Sequence, residues 1–124
     1  MPVTKIPYKG LDVLFIDYKP CKSLEEEIES INQLAEMTKP YPPNGAYLMV
    51  DVTGKQGSKR FMAEAKRLAK EVFDDRVRTR AVIGVNNPGK KILIAVYNHL
   101  VKSKFHLVKD QQEALEYLHQ ISLK

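Results

Sequence analysis

One cysteine, Cys21, stands alone in a chain of 124 residues. It has no partner for an internal disulfide, and without a second cysteine nearby it makes neither a redox pair nor a zinc knuckle. Long apolar runs are also missing. The longest is a handful of residues, far short of the roughly 20 that cross a bilayer, and the start MPVTKIPYKG lacks the basic-then-apolar pattern of a secretory signal. The expectation is a soluble, cytoplasmic protein with no membrane span. Histidine is scarce: His99, His106 and His119 have no second ligand at metal spacing such as i+4 on one helix, so no metal site is expected. Carboxylate pairs are scarce too, since Asp12 and Asp17 lie five positions apart on one strand and point to opposite faces. No catalytic residue and no cofactor follow from this set, which favours a binding or regulatory module over an enzyme.

What is present fits one domain over residues 1–124, with apolar content enough for a real core. Charge is unevenly spread. From Val52 to Lys109 there are 14 Lys/Arg against four acids, Glu64, Glu71, Asp74 and Asp75, while the flanking segments are net acidic. Arg60, Glu64, Arg67 and Glu71 are spaced to pair along one helix face, which accounts for part of this charge as a solvated surface. The rest points to an anionic partner, an acidic protein surface or phosphate-bearing ligand before nucleic acid.

The chain alternates. LDVLFIDY (Leu11 to Tyr18) reads as a strand stopped by Pro20, and Ser23 with Glu26 forms a capping box for a helix running to about Thr38. KPYPPNG ends that helix. Ala46 to Asp51 is a continuous apolar strand, followed by a helix with Phe61, Ala65, Leu68 and Val72 on one stripe. RAVIGVN (Arg80 to Asn86) is the third strand, Lys90 to Lys102 the third helix, Phe105 to Lys109 a short last strand, and Asp110 with Glu113 opens the final helix. The order β-α-β-α-β-α-β-α predicts an α/β fold with a four-stranded, mainly parallel sheet and right-handed crossovers. An edge segment around Val3 to Pro7 can join it. Ligands of such sheets bind where strand carboxyl ends lead into helix N-termini, here Asp51 to Ser58 and Asn86 to Lys91.

The succession of VDVTG, RAVIGV, GKKILIAVYNHL and a closing EALEYL resembles small bacterial STAS-like proteins, related to the sporulation anti-sigma-factor antagonists, over nearly the whole chain. The resemblance implies a STAS-like (βα) superhelix acting as a protein-interaction regulator. In that family a serine at the start of the helix after the second core strand is phosphorylated to break partner binding. Ser58 sits at the corresponding place, without the preceding acid and following glycine of the family signature. The fold is also similar, more distantly, to the lipid-binding core of CRAL-TRIO proteins, which implies a small apolar ligand as the alternative.

The candidate site residues follow. Asp51, Thr53, Gly54 and Ser58 form the partner-binding or switch turn, with Asp51 as a turn acceptor and Ser58 as a helix N-cap the plainer alternatives. Lys55, Lys59, Arg60, Lys90 and Lys91 surround electropositive helix N-termini and are expected to bind an anion. GVNNPGK spells most of a nucleotide phosphate loop, but Lys91 stands where Ser or Thr would ligate magnesium and Gly84 is expected inside the strand. The third helix is apolar nearly all round. Ile92, Leu93, Val96, Tyr97 and Leu100 are therefore expected to line a pocket or an exposed surface for a protein partner, a small ligand or a second copy of the chain. A pocket of a few hundred Å3 under this helix would mark a ligand carrier, and a packed core a regulator.

Overall fold

The computed structural model describes residues 2–124. Its central strand, Ala46–Asp51, is buried at every position, as a continuous apolar run requires when helices cover both faces. In chain order the elements are β1 (Val3–Tyr8), β2 (Leu11–Asp17), α1 (Leu24–Thr38), β3 (Ala46–Asp51) and α2 (Lys59–Leu68). After α2 the helix passes through a π-helical turn at Ala69–Phe73 into the short α3 (Asp74–Arg76), then come β4 (Val77–Ile83), α4 (Pro88–Leu100), β5 (Phe105–Val108) and α5 (Gln111–Ser122).

The sheet has five strands in the order β1-β2-β3-β4-β5. β2 to β5 are parallel, as the alternation predicts, but β1 pairs antiparallel with β2, so the sheet is mixed and not four-stranded. The two-residue connection explains the extra strand: Lys9 and Gly10 both have positive φ (49° and 84°), the pattern of a hairpin turn whose twist matches its strands.

Sequential parallel order with right-handed crossovers places every crossover helix on one face. Leu14, Ile16, Leu48, Val50 and Val82 accordingly meet α1, α2 and the inner side of α4 in one core. α5 follows the last strand, is not a crossover, and closes the opposite face with Ala114 and Leu118 against Phe15, Met49 and Ala81. The expected caps form: Ser23 Oγ accepts from Glu26 N–H (3.2 Å), and Asp110 Oδ1 from Glu113 N–H (2.9 Å). β4 starts three residues earlier than its sequence suggests. Ala46 pairs with Val77 and Tyr47 with Thr79, so Arg78 is a bulge and Arg80 lies at mid-strand rather than at a strand start. Gly84 falls just beyond β4, not inside it, with φ of 92°.

Candidate functional site

The two turns singled out from the sequence meet at the carboxyl edge. Val52 N–H donates to Ile83 O (2.9 Å), and a Cβ on Gly84 would lie 2.5 Å from Thr53 N. Only glycine allows that approach. Asp51 is buried, and its Oδ1 accepts from Thr53 N–H (2.9 Å) and Thr53 Oγ1–H (2.6 Å), while Oδ2 faces Lys19 Nζ at 3.2 Å. Burial works to raise this carboxyl, but the bonds from Thr53 and the Lys19 ammonium outweigh it and hold Asp51 below its ordinary value. Geometrically Asp51 is the acceptor of its own turn. Gly54 supplies the positive φ (78°) that the turn needs.

The basic residues divide. Lys90, expected to bind an anion, is buried: its ammonium folds back to donate to Val52 O (3.3 Å) and Gly84 O (3.2 Å), tying the two turns together. A lysine holding two carbonyls in the interior offers nothing to an external anion, so that expectation is corrected. Lys55 is half-buried and donates to Cys21 O. Arg60 pairs with Glu25 (2.9 Å). Lys59 and Lys91 remain exposed. Ser58 Oγ accepts from Phe61 N–H (3.0 Å) and caps α2, while Asn87 Oδ1 caps α4 through Lys90 N–H (2.9 Å).

α4 has two characters. Ile92, Leu93, Val96 and Leu100 are 63%, 39%, 54% and 49% exposed, a contiguous apolar stripe on the outer side. Between this stripe and α2 runs a groove of about 340 Å3, walled by Gly57, Ser58, Met62, Lys66, Val96 and Leu100. Tyr97, expected with the stripe, instead points inward, where its hydroxyl accepts from Arg80 Nη2 (2.9 Å) and donates to Ala65 O (3.3 Å). Beneath α4 lies a cavity of about 90 Å3 lined by Ile16, Tyr18, Val50, Phe61, Val82 and Arg80, among others. That is smaller than a carrier's pocket of a few hundred Å3, yet it is not a packed core.

The arrangement is an α/β fold of the STAS-like kind: a mixed sheet in sequential order, three crossover helices on one face and a closing helix on the other. An uncharacterized protein from the DUF3478 family with a SpoIIAA-like fold, from Shewanella loihica PV-4, has a similar structure, with a TM-score of 0.69 over 94% of this chain and 91% of that one, at 14% identity. At that identity the likeness is one of fold. No protein-family model and no curated protein matches the chain. Among the described residues no helix is long and apolar enough to cross a membrane.

The polar lining of the cavity is not legible in the sequence. Arg80 reads there as the beginning of a strand, where a charged residue is ordinary, and its burial depends on Phe73, Tyr97 and Phe105 from three separate elements. Tyr18 reads only as the end of a strand. The one available signal was the VRTRAVI segment, in which arginine alternates within a run of strand-forming residues.

Proposed function

We propose that this chain is a non-enzymatic binding module of STAS type that docks an acidic, apolar-faced protein segment over α4 and the carboxyl-edge turns. The outer face of α4 carries the reading: four large apolar side chains are exposed on one short helix, more than a solvated surface helix presents. The charge around them supports the sign of the partner. Lys59 and Lys66 line the groove, Lys91 is exposed in the first turn of α4, and no acid lies among the groove's wall residues. Ser58, the N-cap of α2, lines the same groove, so a phosphate there would bring about −1.5 to −2 charges to a basic surface while capping the helix more strongly.

A designed helical peptide with leucines at i, i+3, i+4 and i+7 and glutamates elsewhere tests the reading by fluorescence anisotropy. The wild type should bind it, with affinity falling as salt rises. Ile92→Ser/Val96→Ser, Lys59→Glu/Lys91→Glu and Ser58→Asp should each weaken binding at unchanged fold. Equal binding by all four proteins, or none by the wild type, would remove the proposal. Sedimentation of the free protein at high concentration reports whether a second copy occupies the same stripe.

A further inference from the structure

Arg80 is a buried cation with no counter-ion. It is 2% exposed, and among the described residues no carboxylate pairs with it. Its partners are neutral: Nε and Nη2 donate to Ser103 O (3.1 and 2.6 Å), and Nη2 also to Ser103 Oγ and Tyr97 Oη (both 2.9 Å). The guanidinium lies 4.2 Å from the Phe105 ring centroid, with Phe73 and Tyr97 at 5.2 and 5.3 Å. Asp74 forms no ion pair with Arg80 and instead accepts from the Ser103 N–H and hydroxyl (3.0 and 2.8 Å). Taking a charge out of water without an opposite charge is costly. The aromatic faces and Ser103 lower that cost and leave the positive sign unmatched.

Nη1 has no protein acceptor. Every fully enclosed side-chain nitrogen and oxygen among the described residues has a hydrogen-bond partner, so Nη1 is not fully enclosed, and Arg80 lines the cavity. The Tyr18 hydroxyl has no protein partner either, and Tyr18 lines the same cavity. The remaining wall is mostly aliphatic and aromatic, and its other charged groups are Glu27, Lys55 and Lys90, the two lysines being held by carbonyls. Two unused hydrogen-bond donors at an apolar cavity with a net positive wall describe a site for a short apolar acid.

We infer that the cavity beneath α4 binds a small aliphatic monocarboxylate of about three to five carbons, its carboxylate taken by Arg80 Nη1 and the Tyr18 hydroxyl and its chain by Ile16, Val50 and Val82. The size follows from the volume: about 90 Å3 is less than the roughly 150 Å3 that accommodates benzene in an engineered cavity. The Lys55 to Gly57 turn and α4 share one wall of the cavity, where Leu93 Cδ1 stands 3.7 Å from the position of a Gly57 Cβ. The groups that would hold the acid face inward, and the site shares only Leu93 with the outer stripe, so the two readings are tested by different substitutions.

Titration of the full chain with butyrate, followed by side-chain Nε–Hε and Nη–Hη signals in nitrogen-15 NMR, provides the test, with butyramide as the neutral isostere. Butyrate should shift the Arg80 signals saturably, and butyramide should bind at least about tenfold more weakly because the charge-assisted bonds are lost. Arg80→Met keeps the volume and removes the charge, and should lose butyrate binding. Tyr18→Phe should weaken it severalfold and Val82→Leu, which fills part of the cavity, should weaken both ligands; these two variants decide the matter if Arg80→Met does not fold. No saturable shift at millimolar butyrate, equal affinity for butyramide, or unchanged binding in Tyr18→Phe and Val82→Leu would overturn the site. Peptide binding to the outer stripe, measured in parallel, shows separately whether the partner surface is intact.

Discussion

Replacing Gly84 by alanine tests the joint between the two turns. The residue has φ of 92°, where an L side chain is strained by about 1–3 kcal/mol. A Cβ would also stand 2.5 Å from Thr53 N, 2.5 Å from Thr53 Oγ1 and 2.6 Å from Thr53 Cα, so Thr53 would have to retreat by about 1 Å to reach ordinary contact. Retreat means giving up at least one of the bonds from Thr53 to the buried Asp51 carboxylate, worth about 1.5–3 kcal/mol to a charged acceptor. The sum is about 2.5–6 kcal/mol. For a domain of this size that is a loss of roughly 10–25 °C in Tm. Gly54→Ala is the control: its φ is 78°, but nothing lies within 4 Å of the added carbon, so only the backbone strain remains. Urea unfolding of both variants against the wild type, with the slope checked for constancy, measures the difference. If Gly84→Ala costs no more than Gly54→Ala, the close packing of Thr53 on Gly84 does not hold the site together.

The adjacent lysines should separate in the same assay. Lys90→Glu places a carboxylate against the Val52 and Gly84 carbonyls and should cost more than about 2 kcal/mol, whereas exposed Lys91→Glu should stay within about 0.5 kcal/mol, and equal effects would mean that Lys90 is not held inside. Glu64 gives a pH signature: the Arg67 guanidinium, then the Asn32 amide, hold its carboxyl down to about 2 from the usual 4.5. A depressed folded-state value stabilises the fold fully above about pH 4.5, and this contribution disappears as the pH falls from 4.5 toward 2. Thermal unfolding of Glu64→Gln should therefore lose less stability than the wild type across that window, and parallel curves for the two proteins would refute the assignment.

How much of this was legible depended on whether the controlling contacts were local. Ser23 with Glu26, Asp110 with Glu113, and the apolar run Ala46–Asp51 are signals within a few residues, and they place α1, α5 and β3 where the structure has them. β4 was displaced because the bulge at Arg78 breaks the period of two, so Val77 and Thr79 did not read as strand residues. β1 read only as an edge segment, since Thr4, Lys5 and Pro7 are exposed and give a short edge strand little apolar alternation. Lys90 and Lys91 look alike in sequence. Which one is buried is set by the direction in which α4 leaves the sheet, a tertiary property. The apolar excess of α4 is visible in composition, but which of its residues face outward is not, since Tyr97 turns inward; the cavity is not visible either, because Phe73, Tyr97 and Phe105 converge on Arg80 only after three crossovers.

α4 is the element on which both proposals depend. Its inner side reaches the core through Tyr97 and Lys90, while Ile92, Val96 and Leu100 face outward, so it has fewer buried anchors than α1, which buries Ser30, Ile31, Leu34, Ala35 and Thr38. Helices with few buried contacts belong to the less stable end of a fold and are the ones that change position at modest cost. Tyr97 makes that position sensitive to the cavity, because its hydroxyl bonds both Arg80 and the Ala65 carbonyl of α2. A carboxylate on Arg80 competes electrostatically with the neutral acceptors that now hold the guanidinium, Tyr97 among them. Any resulting shift of Tyr97 carries the outer stripe and one wall of the α2–α4 groove with it. Coupling of this kind is reciprocal: an acid that changes the affinity for a docked segment by some factor has its own affinity changed by the same factor, commonly within about 5- to 150-fold. The helix between the two faces is thus the place where a small ligand and a protein partner would act on each other in this fold.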